Sequence, residues 1–155
     1  VPEIIIAVGL LVVFSWLVIP LGLSALIVGH TLLGLGFVVP MIHARYSELD
    51  KSLLEASADL GASTSQTFFK VILPFLYPAL VAAALLVFII SLDDFLIAFF
   101  CAGPTSQTLS LYIFALIRSG VSPVVNALSM LMLGVSTLLV FIYSYVSKKS
   151  SGGMF

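Results

Sequence analysis

Four long stretches of this chain are free of formal charge: residues 4–23, 24–42, 75–92 and 124–146 contain no Asp, Glu, Lys or Arg. Each approaches the roughly 20 apolar residues that carry an α-helix across a bilayer. A backbone immersed in hydrocarbon must satisfy its own N–H and C=O groups, which leaves helices as the solution for runs of this length. The sequence therefore predicts an all-α, multi-pass transmembrane helical bundle, with spans at 4–23, 24–42, 75–101 and 124–146. Composition agrees: 61% of the chain is hydrophobic and 8% charged, with a mean hydropathy of +1.27, against roughly 25% charged residues in soluble domains. The first run has Pro2 and Glu3 at its start and Pro20 near its end, so its register is the least constrained. The chain opens on Val1 with no initiator Met and no polar leader, from which we expect it to begin within a longer protein, with N-terminal spans preceding it.

Several function classes are set aside by what is missing. A net charge of −1 leaves no basic patch for nucleic acid. Cys101 is the one cysteine, which excludes an intrachain disulfide or a cysteine-rich metal centre. No G-x-x-x-x-G-K-[ST] phosphate loop and no H-E-x-x-H occur, so nucleotide chemistry belongs to another chain and no metal or other cofactor is expected. His30 and His43 are thirteen residues apart on what reads as one helix, a spacing that cannot chelate. His43, beside Arg45, reads as interfacial, and His30 as packed or pore-facing.

The basic residues orient the spans. Arg45, Lys51 and Lys70 lie between the second and third spans and Lys148 and Lys149 in the tail, whereas 102–123 holds only Arg118. The positive-inside rule places 47–74 and the C-terminus in the cytoplasm and 103–123 outside. Within 103–123, Leu109, Tyr112, Ile113 and Leu116 fall at helical spacing before Gly120, predicting a short amphipathic helix on the outer face.

The segment Ser47 to Pro74 is a polar island between apolar runs. Ser52 with Glu55 has the spacing of a capping box, and Ser63 with Gln66 repeats it. Gly61 sits where the first helix needs positive φ to stop, and Pro74 is read as the end of the second. Helices this short are marginal alone and need a surface to pack on.

The order Glu55, Ala56, Ser57, Gly61, Val71, Leu73, Pro74 resembles the EAA motif of ABC-transporter permeases: Glu-Ala-Ala, three residues, Gly, nine residues, Ile, one residue, Leu-Pro. Spacing matches throughout; Ser57 replaces the third motif residue, Ala, and Val71 replaces Ile. The runs SLDDFLIAFFCAGP and SLYIFALIRSGVSPVVNALS extend the resemblance to spermidine/putrescine permeases of the bacterial inner membrane, across essentially the whole chain. That resemblance implies a transport subunit that is not itself an enzyme. Its partners would be ATP-binding cassette ATPase subunits, a second permease subunit, a periplasmic or lipoprotein substrate-binding protein and membrane lipid. Glu55, Ala56, Ser57, Gly61, Leu73 and Pro74 would form the ATPase-coupling element, with Glu55 either facing a basic residue of the ATPase or serving as the capping acid. On the outer face, Arg118 would meet the binding protein or stay solvated.

Three acids are candidates for the substrate pathway. Asp93 and Asp94 fall towards the outer side of the third span, where ionisable groups are costly and face a cavity or a partner; alternatively they mark the end of the span. Adjacent helical residues point about 100° apart, which favours one of them over the pair. Glu3 is either an intramembrane acid beside a proline-broken helix or an interfacial one. Trp16, Tyr112 and Phe95 could offer cation–π faces to a polyamine or serve as core and interfacial anchors. The same architecture could carry another solute, iron or an inorganic ion, although the acids argue against anions. An ion-gradient-driven secondary transporter is the alternative of a different class, and it would need no docking helix.

Overall fold

The computed structural model describes residues 2–104, 106–120 and 123–151. Every regular element among them is helical: α1 (Glu3–Trp16), α2 (Leu23–Ser47), α3 (Lys51–Asp59), α4 (Thr64–Thr67), a π-helical turn (Phe68–Ile72), α5 (Leu73–Asp93), α6 (Leu96–Cys101), α7 (Leu109–Ser119) and α8 (Pro123–Ser151). Three stretches are long and apolar enough to cross a membrane: Leu23–Ser47, Thr64–Asp93 and Pro123–Ile142. The chain divides into two compact units, whose described residues fall within 2–35 and 88–138 for the first and 36–87 and 139–151 for the second.

In the first unit, α1 is shorter than the 4–23 run predicts, at 14 residues. Its end has a local cause. The N–H of Ile19 reaches back to the Phe14 carbonyl (2.8 Å) and that of Val18 to Ser15 (3.3 Å), the paired bonds of a Schellman stop. Val18 takes the left-handed position at φ 55°, where glycine is usual, and Pro20 cannot continue a helix. Ala7, Leu10 and Phe14 of α1 pack with Ala25, Leu26 and Leu33 of α2 and with Ile97, Ala98 and Cys101 of α6. Gly29 permits the closest approach: a Cβ there would stand 2.6 Å from Ile97 Cγ2. Beyond this stripe, α1 exposes Ile5, Val8 and Val12, as a helix facing lipid does.

The expected third span, 75–101, is broken. Its helix ends at Asp93 and resumes as α6 at Leu96, because Asp94 supplies a fresh helix start. The Gly22 N–H then bonds the Cys101 carbonyl at 3.0 Å. Gly103, at φ 62°, lets the chain pass so near Leu21 that a Cβ would be 2.6 Å from its carbonyl oxygen. The amphipathic helix expected in 103–123 is present as α7, stopped at Gly120 with φ 126°. Thr105, Val121 and Ser122 of that segment lie outside the described residues.

In the second unit, Arg45 at the end of α2 pairs with Glu48 at 2.7 Å. Its guanidinium lies 4.1 Å over the Phe75 ring, while Nε donates to the Phe75 carbonyl at 3.4 Å. Two readings of the island are corrected here. The Ser52–Glu55 box is not formed: Asp50 is the N-cap of α3, its carboxylate accepting the Ser52 N–H at 2.9 Å. An aspartate in this place both caps and opposes the helix dipole, so Ser52 falls inside the first turn and Glu55 in the second. Nor does Pro74 end a helix. The π turn Phe68–Ile72 leads directly into α5, where Pro74 is second and Pro78 also lies inside. A wider i→i+5 turn ahead of a proline removes the demand for its missing N–H, so the chain continues. The Ser63–Gln66 box does form, with both reciprocal bonds.

Candidate functional site

The two adjacent aspartates have opposite surroundings. Asp94 is buried, 6% exposed. Its Oδ1 accepts the N–H of Ile97 at 3.2 Å and its Oδ2 that of Ala98 at 2.9 Å, so it opens α6 as a cap does. Its main-chain carbonyl accepts the Ser110 hydroxyl at 2.5 Å, tying the junction to α7. His30 of α2 faces it from the other side, with Nε2 3.2 Å from Oδ2. That contact is at ion-pair distance but off the line of a hydrogen bond. The other ring nitrogen, Nδ1, is 2.9 Å from the Leu26 carbonyl. A carbonyl can only accept, so Nδ1 carries the proton there. Glu3, half-buried at the start of α1, adds a second carboxyl that interacts electrostatically with both Asp94 and His30.

Asp93 is exposed on the last turn of α5 and makes no hydrogen bond or ion pair among the described residues. It lines a cavity of about 550 Å³ within the first unit. The remaining wall mixes hydroxyls from Ser110, Ser136 and Thr137 with the rings of Phe95 and Phe114. Those rings pack with centroids 4.7 Å apart, and Arg118 holds its guanidinium 5.6 Å from the Phe114 centroid.

The polar island is densely hydrogen-bonded for its length. Gly61 at φ 75° closes α3 by a second Schellman stop, with the Ala62 N–H on the Ser57 carbonyl (3.0 Å) and the Gly61 N–H on Ala58 (2.8 Å). Ser57, where the EAA pattern has alanine, is buried. Its hydroxyl donates to the Leu54 carbonyl at 2.8 Å and meets Thr67 Oγ1 at 3.0 Å, so it locks α3 to α4. Glu55 is exposed and has no hydrogen bond or ion pair among the described residues. Leu53, Leu60, Phe68 and Phe69 of the same island also expose large apolar surface. Among the described residues no group of three His, Cys, Asp or Glu side chains could hold a metal ion.

The sequence pattern of the binding-protein-dependent transport system inner membrane component family matches residues 1–152. The chain belongs to this family. It is 39% identical to the spermidine/putrescine transport system permease protein PotC of Haemophilus influenzae, over 97% of this chain and 58% of that protein. It is 36% identical to the putrescine transport system permease protein PotI of Escherichia coli, over 96% of this chain and 55% of that one. The chain thus spans a little over half the length of these curated relatives. Among solved structures, an inward-facing MetNI methionine ABC transporter superimposes with a TM-score of 0.77 and 25% identity, covering 97% of this chain and 69% of the matched one. By that family, the chain is an inner-membrane component of a binding-protein-dependent transport system.

Within this chain, Asp94 pairs with His30, Glu3 feels the charges of both Asp94 and Asp93, and Asp93 alone of the three acids lines the cavity. Sequence reasoning missed two members of the site. His30 was read as packed or pore-facing without a partner, and Ser110 was not singled out. A signal for the junction was present: an Asp inside an otherwise apolar run, three residues before the amide it caps, marks a helix restart. Of the aromatic candidates, Phe95 lines the cavity, while Trp16, at 82% exposure, and Tyr112 are on the surface.

Proposed function

We propose that this chain is the membrane-embedded part of a polyamine importer. In this reading it pairs with a second permease subunit, receives spermidine or putrescine from a binding protein, and is driven by separate ATPase subunits. The observation that carries the reading is its relationship, along nearly its whole length, to permeases named for these two solutes.

The polar island supplies the coupling element. Glu55, Ala56, Ser57 and Gly61 build a capped, Schellman-stopped helix, and Leu73 and Pro74 begin the helix that follows. A helix closed at both ends transmits displacement where a loose loop absorbs it. The basic residues Arg45, Lys51 and Lys70 put this face in the cytoplasm. Exposed Glu55, on an island that also exposes Leu53, Leu60, Phe68 and Phe69, is the contact offered to an ATPase cleft. The pathway acids divide by environment. Asp94 acts with His30 to hold the α5–α6 junction, while Glu3 and Asp93 remain pathway candidates, with Asp93 available to solute. An ion-gradient-driven carrier accounts for none of the coupling geometry.

Uptake of labelled spermidine and putrescine by bacteria lacking their own polyamine systems, and producing the assembled transporter, tests the proposal. We expect saturable, ATP-dependent uptake that Gly61→Lys abolishes, because a long side chain at positive φ disrupts the helix stop. Co-purification of the ATPase should fall in the same variant and in Glu55→Ala. Uptake of neither polyamine would remove the substrate assignment, and undiminished ATPase binding in both variants would remove the coupling one.

A further inference from the structure

We infer that Ser57 and Thr67 are positioning residues: their hydroxyl pair joins α3 to the foot of the Thr64–Asp93 helix, so that a push on α3 reaches a membrane span without passing through the connection 60–63. The inference rests on the coupling role proposed above for the polar island and names the contact through which that role is exercised.

The main chain between the two helices is a poor lever. Leu60 is 88% exposed, and Gly61 at φ 75° has open space where a Cβ would stand. Beyond them, α4, the π turn and α5 run on as one helical stretch, Thr64–Asp93, long and apolar enough to cross a membrane. Thr67 therefore belongs to the first turns of the span itself. Among the described residues, its contact with Ser57 is the one hydrogen bond between α3 and this stretch.

The direction of that bond follows from counting protons. A hydroxyl carries one. Ser57 directs its own to the Leu54 carbonyl at 2.8 Å, and a carbonyl only accepts. Thr67 is then the donor across the 3.0 Å gap, giving a chain from Thr67 through Ser57 to Leu54 in which each bond polarises the next. A helical threonine has a local alternative, the carbonyl one turn back. Thr31 of α2 takes it, donating to Ile27 at 2.6 Å, whereas the Thr67 hydroxyl makes no such bond among the described residues and is aimed out of its own helix. Ser57 is buried, so water competes poorly for the pair, and removing either partner leaves a shielded polar group unmet. Its carbonyl also accepts the Ala62 N–H, so one residue holds both the helix stop and the strut. Alanine, the residue of the EAA pattern at this position, cannot make the bond; the lock belongs to this chain rather than to the motif.

The test uses the assembled transporter, with its ATPase subunits, in lipid nanodiscs. The quantity read is the difference in hydrogen exchange at Phe68–Ile72 between the nucleotide-free state and the state trapped with ATP and vanadate. We expect a clear difference in the wild type, reduced about fivefold in Thr67→Val and in Ser57→Ala, the weight of one net hydrogen bond. The double variant should be no worse than either alone, since all three lack the same contact. Thr67→Ser, which keeps the hydroxyl, should restore the response. A strut with a merely structural role would change exchange in both states alike and leave their difference intact. Should Thr67→Val fail to assemble, Thr67→Ala against Thr67→Ser makes the same comparison without the methyl group. A response undiminished in Thr67→Val overturns the inference, and so does a wild type that binds ATPase yet shows no response. An effect of Ser57→Ala with Thr67→Val silent also overturns it, because the bond to Leu54 within α3 would then be the cause. ATPase co-purification, measured in parallel, separates the two claims. ATPase retained in Thr67→Val with the response intact sinks the link and leaves the coupling role standing; a wild type that holds no ATPase removes the coupling role and the link with it. ATPase retained in Thr67→Val with the response lost is the expected result.

Discussion

Asp50 and Asp94 do the same local job in contrasting places. Each carboxylate accepts backbone N–H groups at a helix start: Asp50 opens α3 through Ser52, and Asp94 opens α6 through Ile97 and Ala98. Asp50 stands in solvent, where water solvates its charge. Asp94 is buried, and there the same charge requires more: two backbone donors and His30 opposite, while Ser110 ties the main chain of the same residue to α7. Desolvation makes an unmet charge expensive, so a buried cap collects partners and becomes a structural hub. A solvated cap stays replaceable, which suits a loop that must present a surface rather than hold a core.

Removing the buried cap should do the most damage. Asp94→Ala leaves two amides without an acceptor and His30 without its partner, a loss of about 3 kcal/mol to be read as a lowered Tm of the purified transporter. A change no larger than that of Asp50→Ala would break the comparison. His30→Phe should cost less, about 1–3 kcal/mol, because the backbone donors to Asp94 persist. His30→Gln, which restores an N–H, should recover part of the loss in the same melting experiment.

On the solvated side, Ser63→Ala removes one half of a capping box and should cost about 1 kcal/mol. The effect should be confined to hydrogen exchange of residues 64–67, with the Asp94 junction unchanged. Asp50→Ala should be milder still, seen as faster exchange at Ser52 alone. The Ser52 backbone N–H, with its hydroxyl, holds the Asp50 carboxyl below the usual aspartate range. A depressed carboxyl contributes its stabilisation above the unfolded-state value and loses it as pH falls through the lowered folded-state one. Ser52 protection should therefore persist on mild acidification and disappear only below the ordinary aspartate range. Loss at higher pH would mean that Asp50 is not the cap.

Local signals were legible and contextual ones were not. The Ser63–Gln66 box, the stop at Gly61 and α7 with its Gly120 terminus all follow from residues within a few positions of one another. Asp50 was passed over because Ser52 and Glu55 match a box template equally well. Only the backbone geometry shows the helix starting at Lys51. Pro74 reads as a stop in any window, and the π turn before it reverses that reading. The first apolar run likewise hides its end at Trp16, since Val18 occupies a position that usually announces itself with glycine.

The membrane-helical class, the spacing within the polar island and the presence of acids near the end of the third apolar run were legible in the amino-acid order, because charge, hydropathy and capping act over one or two turns. It could say that Asp93 and Asp94 point in different directions, but not which is buried. That was decided by tertiary packing: α6 docks on α1 and α2, with Ile97 against Gly29. This sets the rotation that turns Asp94 towards His30 and leaves Asp93 facing the cavity. Burial is a property of neighbours distant in sequence, and it makes one of two identical carboxylates a structural anchor and leaves the other exposed at a cavity.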